Sequence, residues 1–381
     1  MNFDFIVVGA GIAGTSIAAE LAEVGSVVLL ETEHQSGYHA TGRSAALFST
    51  IYGGPVVRSL SRASRDFFHA PPADVFDGPL LKRRGTLFVA TQSQCETLRA
   101  FAALEDIAAE TRLLDAKAAV DLCPALRSDR VVQAVYEEHS AGIDVHALQQ
   151  GYFRRLRRGG GTVLNGHRLE ALSRSRGQWT AVANGATFVA PIIVNAAGAW
   201  ADEVAALGGV VPIGIVPKRR TAVIIDPPPG QDPVDWPAVI DIDEQFYFMP
   251  DAGALLLSPA DETPSAPCDA QPDEWDVAVA IDRVERVTTL APRSVKRSWA
   301  GLRSFVADRE PVAGFDAEAP GFFWLAGQGG YGIQTAPALA RIAADMISGS
   351  PGATVHPDVS RTGLSPSRLS RQDAAMPLLA G

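Results

Sequence analysis

The stretch Phe3–Glu31, FDFIVVGAGIAGTSIAAELAEVGSVVLLE, decides the fold. Its apolar run Phe5–Val8 is too short for a helix and rich in β-branched residues, the pattern of a buried strand. Gly9, Gly11 and Gly14 follow in the G-x-G-x-x-G spacing. Ile12, Ile17, Leu21 and Val24 then fall on one helical face, and Ala13, Ala18 and Ala22 let that face pack closely. Gly25 marks a helix stop. Val27–Leu30 reads as a second strand, ending at Glu31.

Each part has a physical task. Gly9 permits a tight strand-to-helix turn, Gly11 lets backbone approach a pyrophosphate, and Gly14 lets helix and strand touch. The helix N-terminus offers N–H groups and a positive dipole end to phosphates. Glu31 can accept hydrogen bonds from both hydroxyls of an adenosine ribose, and its charge repels a 2′-phosphate. The spacing therefore predicts an FAD or NAD site rather than an NADP site.

Working outward, Asp144 predicts a cap for a helix over Val145–Arg158, which stops at Gly159-Gly160-Gly161. The basic run Arg154, Arg155, Arg157 and Arg158 suits the dipole at that helix end and a solvated face. Further helices are expected over 56–68, 96–110 and 116–122, and strands over 87–90 and 131–136. A β-rich section over 162–190 leads to the buried strand Ile192–Asn195, which runs into Gly198 before a helix from about Trp200. From 210 to 298 strands dominate, with one helix over 276–291. The end returns to strand, glycine loop and helix: Gly321–Ala326, then Gly327–Gly332, then Ile333–Ile347 with Pro337 in its first turn. A second helix N-terminus there suits the negative charge of a reduced flavin. The tail after Gly349 is Ser-, Arg- and Pro-rich, a composition expected to order poorly.

Two loop features stay open. Ser44 reads either as the cap of a short helix facing a second phosphate or as an ordinary cap beside a solvated Arg43. His39 reads as a loop histidine or as a covalent flavin attachment point. Tyr52-Gly53-Gly54-Pro55 is turn chemistry and a candidate mobile loop.

Bulk properties narrow the class. The 381 residues carry a net charge of −10, which argues against a nucleic-acid partner and requires local arginines for any anionic substrate. Hydrophobic residues make up 47 %, ordinary for a globular protein. The three cysteines, Cys95, Cys123 and Cys268, sit in no metal spacing and read as reduced thiols. Neither a signal peptide nor a run of ~18 apolar residues is visible. The expectation is a cytoplasmic protein, with peripheral attachment to the inner face of the membrane left open.

Seven segments, GAGIAG (9–14), GYHATGRSAA (37–46), VNAAGAW (194–200), PKRR (217–220), FYFMPDAG (246–253), WAGLRSFVADREPVAG (299–314) and GFFWLAGQGGYGIQT (321–335), span the chain from end to end. Together they resemble the FAD-dependent D-amino-acid oxidase superfamily, most closely the bacterial D-amino-acid dehydrogenases of the D-arginine dehydrogenase type. The resemblance implies an α/β fold: a glutathione-reductase-type, Rossmann-like FAD domain over 1–80, 141–210 and 299–381. An α+β substrate domain on a mixed antiparallel sheet, over 81–140 and 211–298, is inserted into it. It implies non-covalent FAD lying against Gly9, Gly11, Ile12, Ala13, Gly14 and Glu31. Further contacts are implied at Thr41, Gly42, Arg43, Ser44, Ala45, Ala46, Leu169, Ala197, Gly198 and Gly301. The last are Gly329, Gly330, Tyr331, Gly332, Ile333 and Gln334.

For the substrate, the resemblance casts Arg303 as the carboxylate clamp, Tyr247 as its partner and Arg220 as a wall of the same pocket. Tyr52 stands on the gating loop, and the Gly332 carbonyl accepts the amine. Read from residue type alone, Arg303 and Arg220 could equally pair with internal acids, and Tyr247 and Tyr52 could be core. Two departures bear on the side chain. Thr86 stands where the arginine-oxidising relative has a glutamate, and Leu47 where it has a histidine. Loss of the carboxylate removes a charge-assisted contact of ~1.5–3 kcal/mol, so neutral side chains are expected over cationic ones. The implied reaction is oxidation of a D-amino acid to an imino acid by hydride transfer from Cα to flavin N5. Hydrolysis then yields a 2-oxo acid and ammonia. The electrons leave to oxygen, a quinone or a carrier. Alternatives are glycine, sarcosine or another secondary amine, a 2-hydroxy acid, a flavin subunit without turnover, and an NAD-dependent dehydrogenase.

Overall fold

The computed structural model describes residues 1–349 and 359–369. Strand β1 (Phe5–Val8), helix α1 (Ile12–Leu21) and strand β2 (Val27–Leu30) form the expected unit. β1 pairs in parallel with β2 and with Ile192–Asn195. The sheet continues through Phe322–Ala326 to an antiparallel edge at Val312–Phe315, and on the other side through β2 to Thr162–Leu164. Successive side chains of a strand point to opposite faces. Accordingly Phe5 and Val7 join the core under α1 and the helix Gly332–Ser348, while Ile6 and Val8 join a second core with Trp179, Phe188 and Trp324. Both faces are covered, which is why β1 is a continuous apolar run.

The turn after β1 depends on missing side chains. Gly9 has φ +96°, and a Cβ there would stand 2.6 Å from the Ala196 carbonyl oxygen. A Cβ on Gly14 would lie 1.7 Å from the Gly9 carbonyl oxygen. Helix and strand thus touch backbone to backbone.

An eight-stranded sheet builds the second half of the molecule. Its order is Arg297–Phe305, Val216–Ile225, Ala254–Ser258, Tyr247–Asp251, Ala238–Asp241, Thr86–Ala90, Gln133–Glu137, Arg112–Asp115. All its pairs are antiparallel except Ala238–Asp241 with Thr86–Ala90. Strand Arg297–Phe305 therefore belongs to this sheet, and a boundary at 299 falls inside a strand. Small three-stranded sheets over 169–190 and 47–143 complete the architecture. The fold is the expected α/β one with an inserted mixed sheet.

Several expectations are corrected. α1 ends at Leu21 with Ala22 as a right-handed cap, so Val24 is exposed and Gly25 does not terminate the helix. Gly25 instead sits where a Cβ would meet the Phe5 ring at 2.8 Å. No helix follows Ser44: residues 44–46 are irregular and lead into the short strand Leu47–Phe48. The helix expected over 96–110 is broken at 103–104, giving Cys95–Ala102 and Glu105–Ala108. Asp144 does cap Val145–Arg158, accepting from the Ala147 N–H at 2.8 Å. Its basic end is less solvated than expected, because Arg155 pairs with Glu20 and Glu23 and Arg158 with Asp74. Part of the tail is ordered. Val359 and Leu364 are buried, and Arg368 Nε donates to Asp308 Oδ2 at 2.7 Å. Residues 350–358 and 370–381 lie outside the described residues.

The Gly14–Gly9 contact leaves no room for a methyl group. Gly14→Ala is expected to cost about 1–3 kcal/mol of stability or more. Thermal denaturation, together with the amount of flavin that copurifies, checks this; an unchanged melting temperature contradicts it.

Candidate active site

A cavity of about 750 Å³ opens where β1, Ile192–Asn195 and Phe322–Ala326 end. Carboxyl ends of parallel strands are where such sheets bind ligands. Glycine turns form its floor: Gly9 and Gly11 after the first strand, Ala197 and Gly198 after the second, Gly329 and Gly330 after the third. Ile12, Ala13, Leu169, Gly301, Gly332 and Ile333 also line it. Volume and shape suit a dinucleotide-sized ligand, and the side-chain-free floor is what a flat ring and a pyrophosphate need to lie against backbone.

Glu31 stands in this cavity as expected. Its Oε2 accepts the Ala10 N–H at 2.7 Å and its Oε1 accepts the Glu33 N–H at 2.9 Å. Each oxygen keeps a further lone pair for a ribose hydroxyl. Thr41 and Arg43 also line the cavity, but their polar atoms are already engaged. Thr41 Oγ1 accepts the Ile12 N–H at 2.9 Å, fixing the start of α1. Arg43 Nη1 donates to the carbonyls of Ala270 and Ala300, both at 2.9 Å, and Nη2 pairs with Asp269. Arg43 thereby latches the segment around Asp269 across the cavity. Ser44 lines the cavity from its irregular loop. His39 does so with Nε2 3.0 Å from Glu33 Oε1 and its ring 4.6 Å from that of Trp200.

A second group of side chains adjoins the cavity behind Gly330. The Arg303 guanidinium packs so closely there that a Cβ on Gly330 would stand 2.6 Å from it. Burial opposes the Arg303 charge, but the oxygens of Tyr52, Tyr247 and Tyr331 favour it and win, so its pKa is pushed up. Burial likewise holds the Tyr52 phenol above its ordinary value, keeping it a neutral donor. The rings of Tyr52 and Tyr331 meet edge-on with centroids 5.1 Å apart. Among the described residues no carboxylate forms an ion pair with Arg303.

Arg220 belongs to the same group but is partly engaged. Its guanidinium lies 6.0 Å from the Tyr247 ring centre. Nε donates to the Asp261 carbonyl at 2.9 Å and Nη2 to Glu262 Oε1 at 3.4 Å. Nη1 is buried with no partner. Glu262 also accepts from Arg309 at 2.7 and 2.9 Å and from Lys218 at 2.8 Å. Burial alone would raise the Glu262 pKa; the hydrogen bonds and charges of Arg309 and Lys218 pull it down to about 2.

Other expected contacts are not brought to the site. The Gln334 side chain is spent elsewhere: its Oε1 accepts the Ser49 N–H at 3.2 Å and its Nε2 donates to Ser61 Oγ at 3.0 Å. Tyr331 packs on Tyr52 rather than lining the cavity. Gly14 and Gly42 act through backbone packing, with a Gly42 Cβ meeting the Gly37 carbonyl oxygen at 2.6 Å. Ala45 and Ala46 face the cores. Thr86 is fully buried, and its hydroxyl is 2.7 Å from Ser140 Oγ. Leu47 packs in the cluster that holds Tyr52 and Tyr247. Gln149 escaped sequence reasoning. Buried on the helix Val145–Arg158, it donates to the Ala10 carbonyl at 3.0 Å and steadies the glycine turn. A glutamine on a helix carries no local signal of that task. Glu262 and Gln328, which lines the cavity, were equally silent.

The DAO family model, described as FAD dependent oxidoreductase, matches residues 4–346. The glycine oxidase of Pseudomonas aeruginosa is 26% identical over 377 residues, covering 92% of this chain and 96% of that protein. FAD-dependent oxidoreductase domain-containing protein 1 of Xenopus laevis is 27% identical over 179 residues, 41% of this chain and only 34% of that protein. The crystal structure of glycine oxidase from Geobacillus kaustophilus superposes with a TM-score of 0.82 at 21% identity, covering 94% of this chain and 98% of that one.

The depressed Glu262 pKa sets a pH window. A carboxylate whose pKa falls from 4.5 to about 2 on folding adds stability above pH ~4.5, and that contribution fades as pH drops toward 2. Glu262→Gln should therefore lower stability at neutral pH, and the gap from the parent should close between about pH 4.5 and 2. Denaturant titrations across that range check it; a gap that stays constant contradicts it.

Proposed function

The chain belongs to the DAO family of FAD-dependent oxidoreductases, and from that premise we propose that it oxidises D-amino acids, as a relative of the D-arginine dehydrogenase type with a different side-chain preference. The products are imino acids, which water converts to 2-oxo acids and ammonia. We assign the segments of the six-stranded sheet to cofactor binding and those of the eight-stranded sheet to substrate binding.

One observation carries the reading: Arg303 is a guanidinium flanked by phenols, with no ion-paired carboxylate among the described residues, beside a glycine loop at the edge of the cavity. Its planar fork matches a carboxylate through two parallel hydrogen bonds. Tyr247 adds a phenol to the same carboxylate, and Arg220, whose Nη1 has no hydrogen-bond partner, supplies a further donor. The Gly332 carbonyl orients the amine, and Tyr52 closes the site. The cavity would hold FAD, which would supply the hydride acceptor. With the amine neutral no side-chain base is required, and positioning supplies the rate. Carboxylate, amine and side chain held at three points select one configuration at Cα.

Neutral side chains are favoured over cationic ones, because neither Thr86 nor Leu47 offers a carboxylate. Among the described residues no helix is long and apolar enough to cross a membrane. We place the enzyme in the cytoplasm or on the inner membrane face, passing electrons to a quinone, a carrier or oxygen. A second reading, oxidation of glycine or a secondary amine, draws on the resemblance to glycine oxidase.

Anaerobic bleaching of the flavin against D- and L-amino acids, glycine and sarcosine tests the assignment. D-amino acids should reduce it fastest, with D-arginine and D-lysine poor; the highest kcat/KM on either cation contradicts the side-chain reading. Arg303→Ala should raise KM by about 100-fold, the loss of a bidentate charge-assisted contact of ~3 kcal/mol, with flavin still bound. Unaltered substrate affinity rules out that role.

A further inference from the structure

Arg84 has no task in the site as described. It follows strand Leu81–Arg83, and its backbone N–H donates to the Ser140 carbonyl at 3.2 Å. Its Nε and Nη1 are buried and have no hydrogen-bond partner. Arg84 is half-buried, but those two N–H-bearing nitrogens are sealed from water, and a buried donor without an acceptor is costly, so the position suits an anion.

Its surroundings show where that anion would come from. The guanidinium lies over Gly142: a Cβ there would be 3.7 Å from Nε and 4.0 Å from Nη2. Gly142 pairs with Lys82 on one side and with Leu47 on the other. Leu47 in turn packs in the cluster that contains Tyr52, Tyr247 and Met249. Strand pairing thus sets Gly142, beneath Arg84, beside Leu47, and Leu47 packs with Tyr52 and Tyr247, two of the phenols around Arg303.

Among the described residues no carboxylate forms an ion pair with Arg84, and the buried acid of the neighbouring strand is engaged elsewhere. Glu137 is taken by Ser49 Oγ at 2.6 Å, the Thr50 N–H at 2.8 Å and Thr50 Oγ1 at 3.1 Å. Thr86, two residues along, is neutral and bonded to Ser140. Burial pushes the Arg84 pKa down, and only Asp251 acts against that, through space. Asp251 is itself partly exposed and lies 3.9 Å from Arg297.

We propose that Arg84 receives a second carboxylate at the far end of the substrate, so that the preferred substrate is an amino dicarboxylate. Arg303 holds the α-carboxylate, and Arg84 holds the side-chain carboxylate over Gly142. The inference rests on the amino-acid oxidation proposed above and sharpens its side-chain preference. The same charge turns cationic side chains away.

The test uses the FAD-loaded enzyme and anaerobic flavin reduction by D-glutamate, D-glutamine and D-norvaline. D-Glutamate should exceed both neutral analogues in kcat/KM by about 10- to 100-fold, the range of a charge-assisted contact. In Arg84→Met that ratio should collapse, with the loss in KM, and Arg84→Lys should restore part of it. A ratio near one in the parent, or one that Arg84→Met leaves unchanged, overturns the proposal. Binding of glutarate against butyrate, read from the flavin spectrum, needs no turnover and no variant. If no amino acid bleaches the flavin, the oxidation reading fails; glutarate preferred over butyrate still supports the anion site, and equal binding overturns it.

Discussion

Everything at this site depends on one contact, the backbone of Gly14 against the carbonyl of Gly9. Because no side chain stands between them, α1 begins directly at the end of β1 and its N-terminus faces the cavity. Three distant segments then hold the turn. Thr41 takes the Ile12 N–H, Glu31 takes the Ala10 N–H and Gln149 donates to the Ala10 carbonyl. The Ala10 N–H and carbonyl and the Ile12 N–H are thereby satisfied by protein, while the glycine surfaces stay bare for a ligand.

Charge is sorted with equal care next door. The chain is acidic overall, yet the acid nearest Arg220 is shared with Lys218 and Arg309. The side chains that favour the Arg303 charge are the phenols of Tyr52, Tyr247 and Tyr331. A phenol donates and accepts hydrogen bonds but leaves the positive charge uncancelled. That charge is therefore available to an anionic headgroup, whereas a carboxylate neighbour would have quenched it.

Much of the chain could be read locally. β1, α1 and β2, the cap at Asp144 and the strands before Gly198 and Gly327 all follow from patterns within a dozen residues. Most of the glycines expected along the cofactor do line the cavity, since a missing side chain has one consequence wherever the fold puts it. Polar side chains behaved differently. Gln334 lies in the right loop–helix segment but bonds Ser49 and Ser61. Thr86 lies in the right strand but is sealed against Ser140. Val24 and Gly25 misled because the helix stops a turn earlier, where packing against Phe5 and Asp4 takes over.

By itself the sequence determined the nucleotide-binding unit and the α/β class, while the arginines and tyrosines proposed for a substrate came only from the family resemblance. The nucleotide-binding unit rests on short-range chemistry: apolar period, glycine spacing and capping. Only the tertiary structure decided which of those side chains converge, which are consumed by partners, and that Arg84 is left without one. Such outcomes hinge on contacts between residues dozens to hundreds of positions apart, and on which face of a strand the sheet register presents. No local pattern encodes either.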